Sequence, residues 1–308
     1  MTADTSTLAS SLAGVLLDEP GRYDIAEADY HRDPLRHLGG SLSSTTARKL
    51  LSPSCPALAR WEADHPQYKD AWDLGSVTHR WVLGSGCPIV EVAAADWTAA
   101  GKAGRAAKDK ARAEGKVALL TKDIAKAKAM ADAVHADPMA HALLTLPGAP
   151  EQTLIWREGD EGTWCRAMFD RWPDPAIAGD PMRPEDGGEP PLIVDLKTCD
   201  SVSDEHLQKA VWSYGYHQQE DFYRRGYRAA HGLWADFAFV FVQKDPPHLV
   251  RVVQLDEQLR RIARERIDEA LAVWRTCQET GKWPAYPPVG DITLIGPPRW
   301  ARTREDYY

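Results

Sequence analysis

The sequence predicts an α/β protein of the α+β type: a central mixed sheet flanked by helices, with a helical region before it. Two observations carry this reading. Segments rich in β-branched and aromatic residues gather in the second half, at 153–156, 164–172, 192–198, 237–243 and 249–255. Helical spacing fills the first half and returns between the third and fourth of those strands and after the fifth. Helices, three strands, a helix and two more strands, in that order, favour one mixed domain. Its expected span is 41–301, with a helical part at 41–147 and the sheet with its helices at 148–281. A partly ordered lead-in (1–40) precedes it and a tail (282–308) ends the chain.

Taken in order, Ser43 or Ser44 can cap a helix through Ala47, Leu50 and Leu51. Pro53 and Pro56 interrupt it, and a second piece runs through Leu58 to Trp61. A stronger helix is expected over 69–83. Residues 96–136, rich in Ala and Lys, read as two helices around Gly115, and Pro138 and Pro147 bracket a short apolar turn. The Pro/Gly/Asp-rich stretch 173–191 reads as a loop between two paired strands. A long helix over 204–230 and a final helix over 257–280 complete the pattern.

Composition sets the outer bounds. The 308 residues are 44% hydrophobic and 27% charged, ordinary for a soluble globular chain. No apolar run approaches the roughly 18 residues of a membrane span, and no basic-then-apolar signal opens the chain. A cytoplasmic protein with no membrane partner is expected. Cys55, Cys87, Cys165, Cys199 and Cys277 stand far apart without a C-x-x-C pair, which argues against a zinc site, an iron–sulfur cluster or a disulfide framework.

The net charge of −8 argues against non-specific coating of nucleic acid. That charge is unevenly spread. Residues 101–128 carry nine Lys/Arg against three Asp/Glu, which leaves the rest of the chain at −14. Lys102, Arg105, Lys108 and Arg112 in this zone suit phosphate contacts, and equally a solvated helix face.

The chemistry concentrates in Leu192-Ile193-Val194-Asp195-Leu196-Lys197-Thr198. Three apolar residues of a buried strand lead to a carboxylate, a spacer and an ammonium. Residues two apart in a strand share a face, so Asp195 and Lys197 project side by side. A charged pair there is costly unless something binds it. A divalent cation on Asp195, with Lys197 beside an attacking water, accounts for both charges. A surface ion pair at a strand edge is the plainer reading of an isolated D-x-K.

Other residues converge on this pair. Asp170 closes the apolar strand Ala167-Met168-Phe169; pairing with 192–197 would bring two carboxylates to one cation, whereas alone it reads as a turn-initiating acid. Glu151, opening the preceding strand, can reach the same end of the sheet. His79 follows Gly75 by four on one helix face, where the glycine leaves room, although a lone helical histidine is more often structural. Gln219 and Tyr223, also four apart, share a face of the helix after the D-x-K strand.

In chain order, the residues that matter are Leu42-Ser43-Ser44 with Leu50-Leu51, Leu74-Gly75-Ser76-Val77-Thr78-His79, Glu151-Gln152 before Trp156, and Cys165-Arg166 to Asp170. Then come Val194 to Thr198, Tyr214-Gly215-Tyr216-His217-Gln218-Gln219 through Phe222-Tyr223, Trp283-Pro284-Ala285 and Pro298-Arg299-Trp300-Ala301. Together they resemble the RecE-type nuclease domain (exodeoxyribonuclease VIII), a branch of the PD-(D/E)xK superfamily found in phage recombination systems. Two departures stand out: a long Pro/Gly-rich loop separates Asp170 from Asp195, and Phe169 precedes Asp170 where the superfamily pattern has Pro.

The resemblance implies a PD-(D/E)xK core in which His79, Asp170, Asp195 and the Leu196 carbonyl hold Mg²⁺, with Mn²⁺ as a substitute. It implies that Lys197 positions the attacking water and that Gln219 and Tyr223 line the site and touch the DNA backbone. Glu151 and Arg166 would sit beside it, Arg166 as a DNA contact. The activity it implies is metal-dependent exonucleolytic resection of linear double-stranded DNA, 5′ to 3′, leaving single-stranded tails for phage-type recombination. The implied setting is the cytoplasm of a bacterium or phage-infected cell. The implied partners are a homo-oligomeric ring (a tetramer, then a trimer) and a single-strand annealing protein. The large N-terminal extension of some relatives is missing, so a stand-alone nuclease is expected. An endonuclease or nickase, or a DNA-binding module with a decayed site, are the competing readings; intact His79, Asp170, Asp195 and Lys197 speak against decay.

Overall fold

The computed structural model describes residues 14–65, 71–92, 102–160, 162–174, 190–286 and 292–297. Its main sheet has six strands: β1 (Gly21–Tyr23), β4 (Gly148–Glu158), β5 (Thr163–Pro173), β6 (Leu192–Cys199), β7 (Asp236–Gln243) and β8 (Val250–Val253), in that spatial order. Neighbours run antiparallel except β6 and β7, which are parallel. A parallel pair needs a long crossover. Helices α8 (Asp204–Tyr214) and α9 (Tyr216–His231) supply it.

The alternation along β7 shows why the sheet is covered on both faces. Phe237, Phe239 and Phe241 join one apolar cluster with Phe169, Trp172, Phe222 and Tyr227. Val240 and Val242 join the other, with Val194, Leu196, Met130 and Val134. The first face is covered by α2 (Ser44–Leu50), α3 (Pro56–Asp64), α9 and α10 (Glu257–Thr280). The second lies under α4 (Ala71–Leu83), α6 (Thr121–Ala136) and α7 (Pro138–Leu144). Each phenylalanine is fully buried, which stabilises the fold by roughly 1.5–3 kcal/mol per side chain relative to exposure.

Three expectations change. Between α5 (Lys102–Ala113) and α6 the chain forms a strand, β3 (Val117–Leu120), parallel to β2 (Ile89–Val92). The long helix over 204–230 is two helices that meet at Gly215, whose φ of +70° is left-handed and ends α8. The apolar turn after Pro138 is the helix α7, started by Asp137, which accepts from the Ala140 amide.

The lead-in, in its described part, is built into the fold. β1 pairs with β4, and Tyr30 and Leu35, flanking the end of α1 (Glu27–His31), are buried. Asp33, at φ +58°, accepts from the Leu35 and Ser41 amides and the Ser41 hydroxyl. Residues 1–13, the centre of the 173–191 loop and Pro298 to Ala301 lie outside the described residues. Among the described residues no helix is long and apolar enough to cross a membrane.

Candidate active site and metal centre

The site forms where β4, β5 and β6 carry acids at matching positions. β4 and β5 keep one register from Gly148↔Pro173 to Glu158↔Thr163, and that register sets Glu151 opposite Asp170. The bridge Arg171↔Val194, carried one residue further, sets Asp170 opposite Asp195. A row of three carboxylates therefore crosses three strands. Glu151 sits at φ +51°, a conformation disfavoured for a non-glycine residue. Strain of this kind, in the middle of a strand, collects at functional sites.

Asp170 Oδ2 accepts from the Leu196 amide at 2.7 Å. From the opposite sheet face, α4 brings His79, whose Nε2 lies 2.8 Å from the Leu196 carbonyl and whose Nδ1 lies 3.7 Å from Asp170 Oδ2. The approach of α4 does not depend on the glycine at 75: a Cβ there would stand 3.9 Å from Thr198 Oγ1, which is ordinary contact, so alanine would also fit.

Asp195 is 1% exposed. Gln219 Nε2 donates to its Oδ1 at 2.6 Å, and the Lys197 ammonium pairs with its Oδ2. Lys197 also lies 5.3 Å over the Tyr216 ring. Tyr223 is buried between Phe169 and Phe237. Gln219 and Tyr223 thus stand on the same face of α9, as their spacing predicts.

The electrostatics call for a cation. Burial, together with the charges of Asp170, Glu27 and Asp195, pushes the Glu151 carboxyl up to about 8. Burial lifts Asp195 to about 6, against the pull of Lys197. Burial alone would lower Lys197, but the carboxylates of Asp195 and Asp170 outweigh it and hold the ammonium charged. Ligand atoms of His79, Glu151 and Asp170 lie within 4.8 Å of one another. The donor set, carboxylate and carbonyl oxygens with one imidazole, suits Mg²⁺ or Mn²⁺. The 2.8 Å between His79 Nε2 and the Leu196 carbonyl is close to the roughly 3 Å edge of an octahedron with about 2.1 Å bonds. The residues present therefore fit such an ion. Glu151, expected among the catalytic residues next to the metal, falls within that ligand cluster, whereas Asp195, expected as a ligand, is not one of its three members.

Arg166 needs correction as a DNA contact. It is 8% exposed, pairs with Asp33 at 2.9 Å and donates to the Ser41 carbonyl and hydroxyl at 2.7 Å. It anchors the lead-in to β5. In the basic zone, Lys108 and Arg112 each approach Asp73 at 3.9 Å, and the side chains of Lys102 and Arg105 lie outside the described residues. Glu27 was not foreseen: it faces the cluster from α1, held ionised first by the His31 hydrogen bond, with the Cys87 thiol donating to it at 3.2 Å. A single acid in a segment without periodicity gives no signal in the sequence.

A mixed sheet covered on both faces, with an acid row, a D-x-K strand and a following Q-x-x-x-Y helix, defines the PD-(D/E)xK nuclease fold. The chain belongs to the family described as PDDEXK-like domain of unknown function (DUF3799), which matches residues 43–293. Its fold is similar to that of a provisionally assigned exonuclease from Eubacterium rectale, with a TM-score of 0.58 and 13% identity over 91% of this chain and 98% of that one. A phage-related exonuclease from Haemophilus somnus 129PT matches over 79% of this chain and 96% of its own at 12% identity; its TM-score of 0.33 is too low to carry an argument. No curated protein matches the chain. Family and fold bear out the expected α/β architecture and the resemblance to a RecE-type PD-(D/E)xK nuclease.

Proposed function

We propose that this chain is a metal-dependent exodeoxyribonuclease that degrades linear double-stranded DNA from its ends, 5′ to 3′, and leaves single-stranded tails for recombination. The observation that carries this reading is the meeting of His79, Glu151 and Asp170, with the Leu196 carbonyl against His79, beside an Asp195 that pairs with Lys197.

His79, Asp170, Asp195 and the Leu196 carbonyl would hold Mg²⁺, or Mn²⁺ in its place, and Glu151 would join them. The bound ion would acidify a water and draw charge from the phosphate. Lys197, kept protonated by its carboxylate neighbours, orients the attacking water and offsets charge on the phosphate oxygens as the new P–O bond forms and the bond to the departing sugar oxygen breaks. Gln219 fixes the rotamer of Asp195, and Tyr223 supports Gln219 from the core. Lys102 and Arg105 are the cations of the basic zone that we assign to the DNA backbone. A homo-oligomeric ring, tetrameric or else trimeric, would let duplex enter only at an end. A single-strand annealing protein would take up the tails in the bacterial or phage-infected cytoplasm.

End-labelled linear duplex and a covalently closed plasmid, each incubated with Mg²⁺ or EDTA, test this. Progressive loss of the linear DNA in Mg²⁺ alone, with the circle intact and a light-scattering mass that is a multiple of 34.2 kDa, is expected. Rapid linearisation of the circle would make the enzyme an endonuclease, and no cleavage of either DNA would overturn the nuclease reading.

A further inference from the structure

We propose that Tyr214 is a stacking platform for a nucleobase of the DNA strand held at Lys197, which rests on the nuclease reading above. Tyr214 ends α8 with its side chain largely in solvent, 61% exposed. Its ring nevertheless lies 5.6 Å from the Tyr216 ring, tilted by 34°. The Tyr216 ring in turn carries the Lys197 ammonium 5.3 Å above it. An aromatic row thus leads from solvent to the group that faces the scissile phosphate. Those two steps keep the Tyr214 ring within about three nucleotide rises of the ammonium, each rise being about 3.4 Å.

The backbone turn that carries the ring is also held in place. Gly215, at φ +70°, turns the chain between α8 and α9, and Arg48 wraps this turn. Its Nη1 donates to the Ser213 carbonyl at 3.1 Å, and a Cβ at position 215 would collide with its Cδ. Arg48 therefore puts a cation on the turn that carries an exposed aromatic, and a single strand offers a charged backbone and apolar base faces to such a surface. Stacking of this kind tolerates any base, because every base has a π-face. The occupant we assign is an unpaired base within about three nucleotides of the scissile phosphate.

Trp212 is the internal control. It is also exposed, at 56%, but stacks on His217 at 5.2 Å and 7°. Two residues apart on an α-helix, it projects to roughly the opposite side from Tyr214.

The test compares wild type, Tyr214→Ala, Tyr214→Phe and Trp212→Ala. Each is bound, in Ca²⁺ to limit turnover, to a tailed duplex carrying 2-aminopurine at successive positions near its junction, and to the same DNA with those positions abasic. Wild type, Tyr214→Phe and Trp212→Ala should quench the probe at one position. Tyr214→Ala should lose that quench and bind about tenfold more weakly, a deficit that the abasic DNA removes. Equal quench and affinity in Tyr214→Ala, or loss only in Trp212→Ala, would overturn the platform. So would a changed light-scattering mass in Tyr214→Ala with base-dependent binding intact, which would make this face a contact between copies. Parallel digestion of linear duplex by wild type in Mg²⁺ separates the two ideas. Digestion without a Tyr214 effect sinks the platform alone, whereas neither digestion nor DNA binding sinks the nuclease reading beneath it.

Discussion

Gln219 on α9 donates to Asp195 on β6 at 2.6 Å, so the Asp195 carboxylate is oriented by the second helix of the crossover that leaves its own strand. The other oxygen of Asp195 belongs to Lys197, and no freedom of rotation remains. Loss of such a supporting partner typically costs 10- to 100-fold in metal affinity or activity. Gln219→Ala should therefore raise the Mg²⁺ needed for half-maximal cleavage by about that factor, with the melting temperature little changed. A Mg²⁺ titration that overlays the wild type would leave Gln219 a packing residue.

Asp195 and Lys197 separate chemistry from folding. Removing one member of a buried pair leaves an uncompensated charge, at up to about 3–5 kcal/mol. Asp195→Ala adds a cavity to that cost. Asp195→Asn and Lys197→Met keep the volume but still leave the partner charge unpaired, so each is compared with wild type at a temperature below its own melting transition. Both should lower cleavage by at least about 10²- to 10³-fold. Asp195→Asn should also weaken Mn²⁺ binding by calorimetry, and Lys197→Met should spare it. Near-normal cleavage by both variants would rule out the assigned site.

The site was legible where local period and tertiary position coincide. β6 places Asp195 and Lys197 on one face because a strand repeats every two residues, and α9 places Gln219 and Tyr223 together because a helix nearly repeats every four. β3 was not legible. Val117-Ala118-Leu119-Leu120 lies between two Ala/Lys-rich helices, its residues favour a helix as readily as a strand, and its pairing with β2 decides the matter. Gly215 inside a helical pattern gave no hint that the chain would turn there. Arg166 sits two residues from an apolar strand centre, and nothing local says that Asp33, far away in the chain, will claim it.

Glu220 should make stability fall with rising pH. Burial outweighs Arg260 and Arg224 and raises its carboxyl from 4.5 to about 7. Between those values the unfolded chain has released the proton that the native protein still holds, so raising the pH favours unfolding. The stabilisation is complete below about 4.5 and lost by about 7, on the order of 3 kcal/mol in all. Glu220→Gln can still accept from Arg260 but cannot titrate. Urea unfolding in EDTA across this window should show wild type losing ground to the variant as pH rises. A constant gap would mean that native Glu220 is ionised throughout and paired with Arg260.

Lys108 and Arg112 offer the sharpest choice between folding and DNA contact. Asp73 is buried in the first turn of α4, the helix that carries His79, and both cations approach it from α5. If their main task is to hold Asp73, Lys108→Met with Arg112→Met takes two cations away from a buried carboxylate. The melting temperature should then fall by roughly 5 °C or more. The log–log salt dependence of DNA binding should keep its slope, because no phosphate contact is lost. Lys102→Gln with Arg105→Gln should do the reverse, reducing that slope by roughly one unit per contact while melting is unchanged. The same reduction in the Lys108 and Arg112 double variant, with normal melting, would return those two residues to the DNA and leave Asp73 without a structural claim on them.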